Sequence, residues 1–102
     1  MLGFYKISRD QYTRLQKSPN ISLYEYFIND ILVYNNEHYI FRQVAILLTT
    51  KNGYGGNEDV LLLQKVDVNG EMELYLSHLG FTKENFLTLK EYRTSRLKDL
   101  LF

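Results

Sequence analysis

Residues Val60–Leu79 read VLLLQKVDVNGEMELYLSHL, and their pairing decides the fold. Two strand-forming runs, Val60–Val68 and Glu71–Leu79, flank Asn69-Gly70, a strong short-range hairpin signal. A two-residue loop pairs Val68 with Glu71, Val66 with Glu73 and Lys65 with Leu74, which sets apolar side chains opposite charged ones. A three-residue loop, Val68-Asn69-Gly70, moves the register by one. Val66 then faces Met72, Gln64 faces Leu74 and Leu62 faces Leu76, while Lys65 meets Glu73 on the other face. A slip of one residue exchanges every side chain between faces, so the hydrophobic pattern selects the three-residue loop. The expected turn is type I, closed by Gly70 in the left-handed region as a G1 bulge. Glycine has no Cβ and adopts that conformation at little cost.

Working outward, the 102 residues are expected to form a single domain, 1–102, with one modest core. Hydrophobic residues at 45% and charged residues at 24% are globular rather than disordered usage. The absence of cysteine excludes disulfides, thiol nucleophiles and cysteine zinc sites, and it fits a reducing compartment. The N-terminus MLGFYKISRD has no apolar run of the signal-peptide kind. No run reaches the ~18–20 apolar residues of a membrane span. A cytoplasmic protein without membrane contact is the expectation. Abundant Tyr, Asn, Lys and Ile reflect AT-rich codons, as in a low-GC bacterium or its phage or plasmid.

The net charge is zero but unevenly spread. Residues 1–20 carry +3, residues 52–80 carry −4 and residues 81–102 carry +2. The terminal helices are therefore basic and the central hairpin acidic, which bears on partners rather than on fold.

Phe4–Ile7 reads as a short strand, and Ser8–Gln11 matches a capping box with Ile7 and Tyr12 as hydrophobic staple. The first helix is expected over Arg9–Lys17, ending before Pro19. Ser22 and Glu25 repeat the box, and a second helix is expected from Leu23 to about Asp30. Ile31–Tyr34 reads as a strand, Asn35-Asn36 as a turn, and a further strand runs from Glu37 or His38 to Thr50. Strict alternation along it puts Tyr39, Phe41 and Leu47 on one face, and Ile40, Val44, Ile46 and Leu48 on the other. Such a strand is covered twice, with one face under helices and the other needing a curl, a second layer or a second subunit. Lys51–Glu58, KNGYGGNE, reads as a glycine-rich loop with Tyr54 at its tip. Gly80 is expected to break the following strand and Thr82 to cap the last helix, with Phe81 and Phe86 as staple. Phe86, Leu89, Leu97, Leu100 and Leu101 then share one helical side, with Arg93 inside the stripe. The order implies an α+β fold. It is an antiparallel four- to five-stranded meander sheet, with short N-terminal helices and a C-terminal helix packed on it. Closure into a small barrel is the alternative.

Chemistry is sparse. GYGG lies between strands and lacks the Gly-Lys-Ser/Thr ending, unlike phosphate loops that lead into a helix. His38 and His78 sit at strand ends without metal-ligand spacing. No nucleophile–base pair or cofactor fingerprint is present, so no catalytic, metal or cofactor residue is assigned and an enzyme is not expected. Glu71 and Glu73 read as an acidic ridge on a hairpin edge. The expected function is a small non-enzymatic binding or regulatory protein that docks on another protein. Its candidate contact residues are Tyr54, Glu58, Asp59, Glu71, Glu73, Arg93 and Arg96. One alternative is nucleic-acid binding through Arg9, Arg14, Lys17, Arg93, Arg96 and Lys98, although the pI near 6.7 is low for that role. Another is a homodimer or homo-oligomeric structural protein, built on the Tyr39–Thr50 strand and the leucine-rich C-terminal end.

Overall fold

The computed structural model describes residues 3–18, 26–51 and 54–101. Along the chain run β1 (Phe4–Ile7), α1 (Arg9–Arg14), β2 (Gln16–Lys17), β3 (Ile31–Tyr34), β4 (Glu37–Lys51) and β5 (Tyr54–Val66). They are followed by β6 (Met72–His78), α2 (Leu79–Asn85), β7 (Leu87–Thr88) and α3 (Leu89–Leu101). The class is α+β with an antiparallel sheet. Among the described residues the sheet has seven strands rather than four or five, in the order β1-β6-β5-β4-β3-β7, with β2 beside β4. The additional strands are short, and they come from segments that the sequence reads as helix. Among the described residues that hydrogen-bonded path does not close, but the sheet curls, bringing the Phe4 ring of β1 to 5.8 Å from Tyr34 of β3.

The central hairpin folds in the register that hydrophobicity selects. Val66 pairs with Met72, Lys65 with Glu73, Gln64 with Leu74 and Leu62 with Leu76. Gly70 has φ +81°, and its amide donates to the Asp67 carbonyl at 3.0 Å. The Asp67 carboxylate accepts from the amides of Asn69 and Glu71, each at 2.8 Å, so the turn satisfies its own backbone donors. At the neighbouring hairpin, Asn35 and Asn36 both take positive φ, as a two-residue turn between Tyr34 and Glu37 requires.

β4 departs from strict alternation. Its register against β5 shifts between Phe41 and Gln43, where Phe41 pairs with Leu63 and Gln43 with Leu62. Arg42 is the extra residue of a β-bulge. Beyond it the faces exchange, so Val44 joins Tyr39 and Phe41, whereas Ala45 and Leu47 lie opposite. This corrects the expected grouping of Leu47 with Phe41 and of Val44 with Ile40. The gain is physical: two large apolar side chains three apart, Phe41 and Val44, enter one core.

The sheet therefore carries two apolar layers. On its aromatic face Leu32, Tyr39, Phe41, Val44, Leu61, Leu63 and Phe86 are buried together. Phe4 stands at the centre of that layer, with ring centroids of Tyr34, Tyr39, Tyr75, Phe81 and Phe86 at 5.0–5.9 Å. On the aliphatic face Ile7, Ala45, Val60, Leu62, Leu74 and Leu76 pack under Tyr12 and Leu15 of the α1 region. α3 flanks that face near β3, with the Tyr92 ring 6.0 Å from His38. The chain thus supplies cover for both faces itself.

The helices differ from expectation at their ends. The Ser8–Gln11 capping box forms at 3.1 and 2.9 Å. α1 then stops at Arg14 rather than Lys17, because Gln16 and Lys17 pair with Ile46 and Ala45 of β4. Residues 23–25 of the expected Leu23–Asp30 helix lie outside the described residues, and its described part, residues 26–30, is not helical. Its described end is a turn, with the Asp30 amide bonded to the Phe27 carbonyl at 2.9 Å and Asn29 at φ 77°. The strand does end ahead of Gly80, at His78, and Gly80 itself lies inside α2. Thr82 is buried rather than a cap, its hydroxyl 2.5 Å from Ser77 Oγ and donating to the His78 carbonyl at 3.2 Å. α2 ends where Phe86 turns into the aromatic core. The long C-terminal helix starts later, at Leu89, under a second capping box. There Thr88 Oγ1 accepts from the Glu91 amide at 3.2 Å, and the Glu91 carboxylate accepts from the Thr88 amide at 3.3 Å.

Of the expected loop 51–58, residues 51 and 54–58 lie in strands, and residues 52–53 lie outside the described residues. β4 and β5 remain paired out to Lys51 and Tyr54, with Gly55 opposite Thr50 and Glu58 opposite Leu47. β6 pairs with β5 only from Val60, and β2 reaches β4 only as far as Ile46. Residues 47–51 and 54–59 thus leave the sheet as a two-stranded ribbon, consistent with a molecule 53 Å long and 30 × 24 Å across.

Candidate docking surfaces

Residues two apart share a face of a strand. Two strands carry the same Glu-x-Tyr pattern, Glu37-His38-Tyr39 on β4 and Glu73-Leu74-Tyr75 on β6. In each, the phenol donates to the carboxylate two residues before it, at 3.1 Å for Tyr39 and 2.7 Å for Tyr75. Lys65 Nζ reaches Glu37 at 2.5 Å, and Lys6 Nζ reaches Glu73 at 3.3 Å. A rim of alternating charge thus borders the aromatic layer on four strands. Burial, reinforced by the bond to Glu73, pushes Tyr75 up to about 12. Burial and then Glu37 raise Tyr39 further. The Lys65 and Tyr39 bonds hold Glu37 below the usual carboxylate range, and the Tyr75 and Lys6 bonds do the same for Glu73. Neutral phenols and paired charges make this rim a fastening for the fold. The repeated Glu-x-Tyr was legible in the sequence as a same-face pair, and it went unread there.

The rim gives the fold an alkaline weakness. A tyrosine whose folded pKa is raised contributes stability that is complete below its unfolded value of about 10 and is lost as pH rises through the folded value. The thermal midpoint is expected to fall between pH ~10 and the value of about 12 at which folded Tyr75 ionises. Tyr75→Phe should flatten the fall. A midpoint independent of pH over that range in the wild type would show that the phenols do not couple to folding. Glu37 and Glu73 act in the opposite sense, since their contribution is present above the ordinary carboxylate range and is lost as pH drops through their lowered values.

The candidate contact residues are dispersed. Tyr54 opens β5 opposite Lys51, at the outer end of the ribbon. Glu58 and Asp59 are consecutive on β5 and point to opposite faces. Glu58 Oε2 lies 3.7 Å from Nε2 of buried His78, whose Nδ1 is 3.0 Å from the Gly3 amide. Glu71 and Glu73 do not make a ridge: Glu71 belongs to the exposed turn, while Glu73 is half-buried under Tyr75 and Lys6. Nor is β6 an edge, because it lies between β1 and β5. Arg93 and Arg96 are exposed on α3, with Arg96 5.9 Å over the Tyr92 ring. Arg93 is therefore not within a packed apolar stripe, and Phe86 and Leu97 do not share one. The ribbon stands at one end of the sheet, while Glu71, Arg93 and Arg96 gather toward the other.

Exposed apolar side chains occur at both ends, and also ahead of β3, where Phe27 is 74% exposed. On the ribbon, Leu48 is 77% exposed. At the opposite end Val68 of the hairpin turn is 100% exposed, and Val66 and Met72 beside it are half open. Among the described residues no three His, Asp or Glu side chains gather as a metal site, and no helix is long and apolar enough to cross a membrane. Comparison with protein-family models, curated proteins and solved structures finds no match to the chain.

Proposed function

We propose that this is a small non-enzymatic binding or regulatory protein of the cytoplasm that acts by docking on another protein through the β4–β5 ribbon. The observation that carries the reading is the ribbon itself. Two strands alone are marginally stable in water. Here such a pair projects without a third strand among the described residues and displays Leu48 at 77% exposure. Apolar groups displayed on a projecting element favour association. Glu58 and Asp59 give its base an acidic character, which selects a partner with basic residues around an apolar depression.

The test is paired capture from host lysate, with and without nuclease, using the wild type and a Leu48→Glu/Tyr54→Ala variant. One stoichiometric protein, insensitive to nuclease and lost with the variant, is the expected result. Equal capture by both forms would remove the ribbon from the interface. Capture only without nuclease would transfer the function to nucleic acid and to the arginines of α1 and α3.

A further inference from the structure

The end of the sheet opposite the ribbon carries two complementary surfaces on one chain. The first is the tip of the β5–β6 hairpin. It exposes Val66, Val68 and Met72 and carries Asp67 and Glu71, with no basic residue from 66 to 72. The second is the outer half of α3. That helix starts beside β3, where Thr88 pairs with Leu32, and by Tyr92 it has reached Asn36, whose Oδ1 accepts from the Tyr92 hydroxyl at 3.2 Å. Asn36 closes the β3–β4 hairpin, so the helix beyond Tyr92 carries on past the end of the sheet. At 1.5 Å per residue, Arg93 to Leu101 adds about 14 Å. Arg93 through Leu97 are all exposed there, Leu97 to 59%. Among the described residues Arg93, Arg96 and Glu71 form no ion pair.

We propose that these two surfaces bind each other between two copies of the chain. The basic outer half of one α3 seats on the acidic, apolar hairpin tip of a second copy, and the reverse contact forms at the same time. Each chain carries both halves of the match at the same end, which is the condition for a closed two-fold dimer in which every contact occurs twice. Arg93 and Arg96 meet Glu71, the open carboxylate of the tip, while Leu97 covers Val68 and Met72. Zero net charge lets two copies approach without long-range repulsion. The interface is independent of the ribbon, which leaves the sheet at the far end.

The experiment is analytical ultracentrifugation of four 102-residue chains: wild type, Arg93→Glu/Arg96→Glu, Val68→Lys/Glu71→Lys, and Leu97→Asp. All substitutions are at exposed positions, and circular dichroism checks each fold. The wild type should dimerise. Each double variant alone places like charges in both contacts and should weaken the dimer by at least about tenfold. An equimolar mixture of the two double variants restores opposite charge in both contacts and should give a 1:1 heterodimer. Leu97→Asp should weaken the dimer without any exchange of partner specificity. A wild type that stays monomeric to about 1 mM overturns the proposal. So does a dimer unchanged in the variants, or a mixture that fails to reassociate.

Discussion

Phe41→Ala is expected to lower the free energy of unfolding by about 3–5 kcal/mol, read as a shift of the urea midpoint at constant slope. A domain of this size holds only ~5–15 kcal/mol in total, so the variant should be marginal at ambient temperature. Phe41 is fully buried and pairs with Leu63 across the centre of the sheet. Its backbone is also committed on the other side. The amide donates to the Asp30 carbonyl at 2.8 Å, and the carbonyl accepts from the Asn29 amide at 2.7 Å. Residues held this firmly on two sides relax little into a cavity, which places the cost toward the upper part of the range. Phe41→Leu retains most of the volume and should lose markedly less. A shift under about 1 kcal/mol for the alanine variant would mean that the aromatic layer collapses freely around the gap.

Val44→Asp should unfold the protein outright at neutral pH, whereas Leu48→Asp should change stability by no more than ~0.5 kcal/mol. Both leucine and valine stand on β4 and on the same face. Val44 is buried in one cluster with Phe41, Leu61 and Leu63. An unpaired buried charge costs several kcal/mol, comparable with the whole stability. Leu48 lies four pairs farther out, on the ribbon, where a carboxylate remains in water. Circular dichroism of the two variants separates them directly. A folded Val44→Asp chain would contradict the assignment of faces beyond Arg42.

The sequence was most legible where one local rule had no competitor. The Asn69-Gly70 hairpin could satisfy its hydrophobic pattern in only one register, and the Ser8–Gln11 box is local by construction. Beyond Phe41 alternation failed because Arg42 has no mark of a bulge, such as glycine. Its role emerges only from the pairing with β5. In the C-terminal third, two cap signals competed. Thr82 precedes an apolar helical run, yet its hydroxyl is buried against Ser77. The cap that forms is Thr88-Leu89-Lys90-Glu91, a complete box read as helix interior. Asn52-Gly53 was a second Asn-Gly hairpin signal, overshadowed by the glycines after it. Lys51 pairs with Tyr54, and residues 52–53 lie outside the described ones. Charge was read correctly by region and incorrectly by surface. Glu73 is spent on Tyr75 and Lys6, and the carboxylate of Asp67 on its own turn, leaving Glu71 as the open charge of the tip. The candidate contact surfaces remained illegible because they depend on which elements outrun the sheet. That is a matter of relative length.

β4 holds one residue more than its partner strand needs, and this gives the gene a place to change length. Without residue 42 or residue 43, strict alternation from Tyr39 to Leu47 yields the same two faces that the bulge now produces. A codon lost farther along the paired ladder exchanges inside for outside in everything beyond it. The bulge is thus a reserve of one unit, stored where the strand can release it without rewriting the core.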